Sequence, residues 1–266
     1  MHTLTSPWQT MLRRAATASL ALVATGQVVA AEPQIDWQPL GALAVARTET
    51  TVGHFRRFVQ ATSTVTQAER RGGGEVYEAG WVRRAGWTWR APFGVPAADN
   101  EPAVHVTFDE AQAFCRWAGG RLPRDGEWVT AAYTEQRADP QPFSRGRTYA
   151  YPLGDSPRGA QCLGDCGPEA ASRALGRGAA LTRGAGHAAV ATTPRGVNGL
   201  YDMGGNAWEW VDEPAAADQR PAGTAPRRTR GGSWWYGQGP MRADHLQDKP
   251  ADTAVVYIGF RCVRPN

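Results

Sequence analysis

The 266-residue chain has a single lysine, Lys249, so arginine supplies nearly all of its 29 basic side chains. Its formal charge of +4 falls to +2 without Arg13 and Arg14, which precede an N-terminal apolar run. No cluster of Lys and Arg interleaves with aromatics along a helix, so the composition makes no electrostatic case for nucleic acid. A Gly-x-Ser-x-Gly elbow, a phosphate loop and a dinucleotide fingerprint are all absent, which removes the commonest signatures of hydrolases and nucleotide-dependent enzymes. Past residue 31 no apolar run approaches the roughly 20 residues that a bilayer-spanning helix requires. Cysteine is scarce as well, with four in the chain.

Residues 1–31 have the form of an export signal: Arg13-Arg14, the apolar stretch Ala15 to Ala31, and the small residues Val29-Ala30-Ala31 before Glu32. Threonine and glutamine interrupt that stretch, and it is too short for an anchor. Two adjacent arginines do not by themselves specify twin-arginine export, so the general secretory route is expected. The mature chain, 32–266, is then periplasmic or secreted, with no membrane span, and its even spread of motifs predicts one domain. In that compartment four cysteines imply two disulfides, and the sequence alone allows three pairings. Cys162 and Cys166 stand in Cys-Leu-Gly-Asp-Cys, a spacing also compatible with a metal-ligand pair, although no second ligand pair is near in sequence.

Local patterns predict few regular elements. Thr51 can cap a helix bearing Val52, Phe55, Phe58 and Val59 on one face. Thr107-Phe108-Asp109-Glu110 has the form of a capping box, and Phe108, Ala111, Cys115 and Ala118 follow at helical spacing. That helix turns Cys115 inward and stops at Gly119-Gly120. Pro123 to Ala132 predicts another helix, carrying Trp128. Residues 164–193 and 213–227 read as loops, and Thr229–Trp235 and Tyr257–Val263 as short strands. Unaided, these patterns reach an irregular α+β domain.

The chemistry concentrates near the C-terminus, in Gly204-Gly205-Asn206-Ala207-Trp208-Glu209-Trp210, Arg230-Gly231-Gly232-Ser233-Trp234-Trp235 and Gly259-Phe260-Arg261-Cys262. Glycines set beside tryptophans mean tight backbone turns under large packed rings. Upstream lie Trp87-Thr88-Trp89-Arg90-Ala91-Pro92-Phe93-Gly94, Glu101-Pro102-Ala103-Val104-His105-Val106-Thr107-Phe108-Asp109-Glu110-Ala111, Cys115-Arg116-Trp117-Ala118-Gly119-Gly120-Arg121-Leu122-Pro123 and Glu127-Trp128. Together these blocks, from about Val45 to Val263, resemble the sulfatase-modifying-factor family, which includes the formylglycine-generating enzyme, an oxidase of a sulfatase cysteine. The resemblance implies a C-type-lectin-like α+β fold with low regular secondary structure. It also implies a Cys115–Cys262 disulfide, leaving Cys162 to pair with Cys166.

By the same resemblance a structural calcium falls on Asp202, the carbonyls of Gly205 and Ala207, and Glu209, oxygen donors that suit that hard cation. Asp202 stands where the enzyme has asparagine. The enzyme oxidises its substrate with two copper(I)-binding cysteines shortly after Gly-Gly-Ser; counting on from Ser233, this chain has Tyr236 and Met241 in those places. Its usual copper bis-thiolate is therefore excluded at that position by residue type. Trp208 and Ser233 match residues that line the enzyme's groove, and around them the chain offers Tyr236, Met241, Asp244 and His245. His245 is the candidate base or ligand, Asp244 its neighbour, Tyr236 an acid and Met241 a soft ligand. His105 is expected to be buried and hydrogen-bonded and Met203 to pack, while His54 falls in a helix and His187 in an Ala-Gly loop.

Two functions follow. One is an oxidoreductase acting on a peptide or peptide-derived substrate through a different centre, its redox metal undetermined. The other is an inactive lectin-like module that binds a protein, peptide or glycan. Convergence of Tyr236, Met241, Asp244 and His245 on Trp208 and Ser233 would favour the first.

Overall fold

A computed structural model describes residues 1–2, 34–174, 177–178, 180–183, 186–214 and 224–266. The chain divides into two units, Met1–Ala31 and Glu32–Asn266. The expected export signal, apart from residues 1–2, lies outside the described residues; the account below concerns the second unit. No helix among the described residues is long and apolar enough to cross a membrane.

Three small sheets carry the fold. Strands β1 (Trp37–Leu40), β2 (Leu43–Ala46) and β9 (Val263–Pro265) form an antiparallel sheet that joins the two ends of the unit. β3 (Glu75–Tyr77) and β4 (Trp81–Arg83) form a hairpin. The third sheet has the order β7 (Gln247–Pro250), β6 (Pro226–Arg230), β5 (Trp208–Pro214), β8 (Ile258–Gly259), with β5 and β8 parallel.

The helices are short and begin where their caps place them. α1 (Val52–Thr62) starts at Thr51, whose hydroxyl accepts the His54 amide, and buries Val52, Phe55, Phe58 and Val59 as expected. A four-residue helix, α2 (Gln67–Arg70), follows, and the Glu69 carboxylate accepts the Thr66 amide at 2.8 Å. α3 (Phe108–Trp117) has the reciprocal Thr107–Glu110 box and turns Cys115 into the core. α4 (Asp125–Tyr133) starts two residues after Pro123, whose carbonyl is instead taken by the Asp212 amide at 2.7 Å. Among the described residues of the expected 164–193 loop lies one short helix, α5 (Glu169–Arg173).

Both expected C-terminal strands are shorter than the pattern suggested. β6 ends at Arg230 because Gly231 and Gly232 take φ of 94° and 72°, a left-handed path that no ladder continues. A Cβ on Gly231 would lie 2.8 Å from the Met203 carbonyl oxygen. Between β8 and β9 the chain crosses from one sheet to another: the Phe260 carbonyl accepts the Thr50 amide and the Cys262 carbonyl accepts the Ala46 amide, at 2.8 and 2.9 Å. Of the 213–227 loop, β5 takes residues through Pro214, β6 begins at Pro226, and 215–223 lie outside the described residues.

Tryptophan does much of the packing. Trp89, Trp128, Trp208, Trp210, Trp234 and Trp235 are fully buried, and such rings dominate core energetics because each removes about 150–250 Å² from water. Through this core runs one buried polar tie. The Arg261 guanidinium meets Glu209 at 2.6 Å and also donates to the carbonyls of Ala46 at 3.0 Å and Tyr201 at 2.8 Å. Glu209 in turn accepts the Trp128 indole at 2.7 Å.

The disulfides are Cys115–Cys262 and Cys162–Cys166, 147 and 4 residues apart in sequence. Loop-closure entropy assigns them very different weights: about 5 kcal/mol for the long loop and about 2 kcal/mol for the short one. The first fastens α3 to the C-terminal block, whereas the second closes only its own turn.

His105 has φ of 58°, and its ring is wholly buried, Nε2 lying 3.0 Å from the Pro92 carbonyl. Burial lowers its pKa to about 4, against smaller upward pulls from the Pro92 and Ala254 carbonyls. The unfolded chain therefore takes up a proton near pH 6.5 that the folded chain refuses until about pH 4, so stability is lost as pH falls through that window. The linkage slope for one such group is about 1.4 kcal/mol per pH unit. In urea titrations at pH 7 and pH 5, His105→Gln should lose about 2 kcal/mol less than wild type. Equal losses would contradict this assignment.

Candidate functional site

Two glycine turns build the site. Gly205, at φ of 84°, sits so close to Gln161 that a Cβ there would be 2.5 Å from its carbonyl oxygen. Its amide donates to the Gly231 carbonyl at 2.9 Å, which clips the first turn to the Gly231-Gly232 turn. Asn206 then spreads its side chain, accepting the Ala188 amide at 2.8 Å and donating to Glu49 at 2.6 Å. Its carbonyl accepts the Trp234 amide at 3.0 Å. The result is a fixed floor from which Trp208, Ser233, Trp234 and Trp235 are presented.

On that floor three expected residues meet. The Trp208 ring lies 5.8 Å from Tyr236 and 5.8 Å from His245, centroid to centroid. Tyr257 adjoins Tyr236 edge-on at 5.9 Å and stacks on Trp235 at 5.9 Å. Arg183 covers the assembly, its guanidinium 5.1 Å from the Trp235 ring and 5.6 Å from Tyr236, while it donates to the Trp235 carbonyl. Burial pushes the Tyr236 phenol up, against the Tyr257 hydroxyl and Arg183, which pull it down. This tyrosine therefore stays protonated at neutral pH and serves as a hydrogen-bond donor.

Trp208 Nε1 and His245 Nε2, on neighbouring rings, are buried and have no hydrogen-bond partner among the described residues; Trp234 Nε1 is in the same state. Buried polar atoms are normally paired, and each exception calls for a cause. The remaining expected residues lie elsewhere. Ser233 is buried beneath the rings, its hydroxyl accepting the Trp235 amide at 3.3 Å. Asp244 points to solvent beside Arg242, at 3.2 Å. Met241 turns the other way, into a buried cluster with Ala160, Cys162 and Cys166.

Arg183 and Tyr257 carried no sequence signal as site residues, since one stands in an Ala-Gly loop and the other in an apolar run. His187 likewise is more than loop: it is buried and its Nε2 lies 2.9 Å from Glu101. A separate apolar pocket of about 290 Å³, lined by Leu40, Leu43, Val45, Gly126 and Ala131 among others, is walled by different residues from the cluster.

The residues expected to hold calcium flank the first glycine turn. Asp202 is buried, accepting the Ala191 amide at 2.8 Å and the Thr193 hydroxyl at 2.5 Å. Glu209 is bound by Arg261 and Trp128, as described. Glu49 joins them, accepting the Ala207 amide at 2.9 Å. Three buried carboxyls thus face one buried guanidinium. Burial, then Asp202, then Glu209 hold the Glu49 carboxyl well above the usual range, and burial also raises Asp202. Hard oxygen donors in excess of positive charge fit a divalent cation. The carboxyl oxygens do not themselves gather within 4.8 Å as a three-residue group, so such an ion would draw on the turn carbonyls of Gly205 and Ala207.

Comparison with known proteins accords with this architecture. Residues 14–266 match the model of the sulfatase-modifying factor enzyme 1-like domain. The chain is 30% identical over 257 residues to the formylglycine-generating enzyme of Streptomyces coelicolor, covering 82% of this chain and 76% of that protein. It is 29% identical over 238 residues to the inactive C-alpha-formylglycine-generating enzyme 2 of Mus musculus, covering 78% and 70%. Among solved structures it is similar to PvdO from Pseudomonas aeruginosa, with a TM-score of 0.56 at 18% identity over 84% of this chain and 80% of that one. The glycine turns, the Trp-Glu and Gly-Phe-Arg-Cys blocks and the length of the match agree: the chain belongs to the sulfatase-modifying-factor family.

Proposed function

We propose that this protein is an exported oxidoreductase that seats a peptide or peptide-derived substrate on Trp208, Tyr236 and His245 and oxidises it with dioxygen, without cysteines at the family's usual position. The observation that carries the reading is the pair of buried atoms on neighbouring rings, Trp208 Nε1 and His245 Nε2, that have no partner among the described residues. An indole N–H requires an acceptor and a neutral imidazole nitrogen offers a donor or an acceptor, so a substrate amide completes both. Tyr236 adds a protonated phenol, and Arg183 a cation for a carboxylate or carbonyl. Family relatedness to an oxidase at 30% identity supports the redox class.

A second reading is a lectin-like binding or accessory module for a periplasmic protein, peptide or glycan. It is favoured by the divergence of Asp244 and Met241, which leaves His245 without a carboxylate neighbour in the cluster. Dioxygen uptake by the purified protein, with peptides and periplasmic extract as substrate, separates the two. Oxidation predicts uptake by wild type that Tyr236→Phe and His245→Ala each abolish while circular dichroism is unchanged. Binding that persists with no uptake by wild type would move the assignment to the second reading.

We further propose a structural calcium on Asp202, Glu209 and the carbonyls of Gly205 and Ala207. Its support is the surplus of buried carboxyls over cations around Arg261. At free calcium 100 times the dissociation constant, one such site adds about 2.7 kcal/mol of stability. Chelation should lower the melting temperature, and Asp202→Ala should remove the calcium response. Identical melting in calcium and in chelator would exclude the site.

A further inference from the structure

The Cys162–Cys166 loop is built against the same turn that carries Tyr236. The Leu163 amide donates to the Tyr236 carbonyl at 2.9 Å, and the Gln238 amide donates to Asp165 at 3.0 Å. One helical turn later Met241 is fixed by two bonds: its amide donates to the Gln238 carbonyl at 3.0 Å and its carbonyl accepts the Tyr133 hydroxyl at 2.8 Å. The Met241 side chain then packs in one buried cluster with Cys162 and Cys166, beside Tyr151 and Leu153. Its sulfur passes over Gly204, where a Cβ would stand 3.3 Å from it. Three sulfur-bearing side chains from segments about 75 residues apart thereby share one buried cluster.

We propose that Cys162, Cys166 and Met241 form a binding site for a soft monovalent cation, copper(I), when the Cys162–Cys166 disulfide is reduced. Among the described residues, the one grouping of three His, Cys, Asp or Glu side chains whose ligand atoms lie within 4.8 Å of one another is Cys162, Asp165 and Cys166. Two thiolates and a thioether are the donor set that selects copper(I) over harder divalent ions. The Asp165 carboxylate lies 3.3 Å from Cys162 Sγ, but as a hard donor already held by the Gln238 amide it positions the loop. Two of the three residues between the cysteines, Gly164 and Asp165, are exposed. A pocket of about 280 Å³, lined by Arg158, Asp165, Cys166 and Gln238, gives entry.

The proposal needs a reductant, and a dithiol of the thioredoxin class supplies it. Two electrons and two protons pass to the disulfide, giving two thiols, while the dithiol closes to its own disulfide. Copper(I) then displaces the two thiol protons to water. The short loop contributes little to chain entropy, so its opening leaves the long Cys115–Cys262 tie to hold the fold. Copper binding here does not rest on the oxidation proposed above; an inactive binding module could hold the ion equally well.

The test uses the purified protein, oxidised or mildly treated with a phosphine. The phosphine takes oxygen from water as it delivers the two reducing equivalents. Alkylation mapped by mass spectrometry should mark Cys162 and Cys166 while Cys115 and Cys262 stay bonded and circular dichroism is unchanged. Competition with a chromophoric copper(I) chelator should then show one equivalent bound per chain, with sulfur-only coordination by X-ray absorption. The oxidised wild type, folded by definition, and Cys162→Ser/Cys166→Ser should each lose that equivalent. Met241→Leu should reduce the coordinating sulfurs from three to two. Three results would overturn the proposal: no uptake beyond the oxidised protein, an unchanged sulfur count in Met241→Leu, or reduction of the short bond only with loss of the fold.

Discussion

The cluster of Trp208, Tyr236 and His245 is referred to one buried ion pair, Arg261 with Glu209. Arg261 comes from the C-terminal block and Glu209 from the glycine-tryptophan block. The carbonyls of Ala46 and Tyr201 that the guanidinium binds belong to the N-terminal sheet and to the segment entering the first glycine turn. One side chain therefore fixes four stretches of chain that are remote in sequence. A buried pair of this kind is weak evidence for net stability, yet removing one partner costs about 3–5 kcal/mol because the other charge is left uncompensated. Its contribution is positional: it sets where the Gly204-to-Trp210 segment lies, and hence where Trp208 meets its neighbours.

With regular structure so sparse, rings and turns replace long strands as the rigid elements. Gly205, Gly231 and Gly232 hold left-handed backbone, which lets two turns close on each other beside the buried rings of Trp208, Trp210, Trp234 and Trp235. On this platform Tyr236 has aromatic surroundings and is capped by Arg183. Sulfur enters the neighbourhood from a different segment, on the loop that hydrogen-bonds the Tyr236 turn from beneath.

The fold was legible where local chemistry decides local shape. Thr51, Thr107 and Glu110 announced α1 and α3 through their caps, and the inward turn of Cys115 followed from helical spacing. The resemblance then supplied the pairing with Cys262, which no pattern in this chain contains. Strand ends were misread at Arg230 and around Phe260 because alternation and β propensity say nothing of a φ forced positive at Gly231, nor of a chain leaving one sheet for another. The site was only partly legible, and for the same reason. Trp208, Tyr236 and His245 stand in motifs near one another in sequence and do meet. Arg183, Tyr257 and the neighbouring of Met241 with Cys162 depend on contacts between distant segments, which one sequence does not encode in any local signal.

Photo-crosslinking of ligand on the folded protein, mapped by mass spectrometry, addresses the central claim, that the inherited platform now presents a ligand to Trp208, Tyr236 and His245. A diazirine-bearing peptide library, or endogenous ligand captured from the periplasm, should label Tyr236, His245 and the Arg183 segment, and His245→Ala should deplete those adducts. Saturable labelling confined to the apolar pocket of Leu40, Val45 and Ala131, untouched by the His245 change, would contradict the account and place recognition in that pocket.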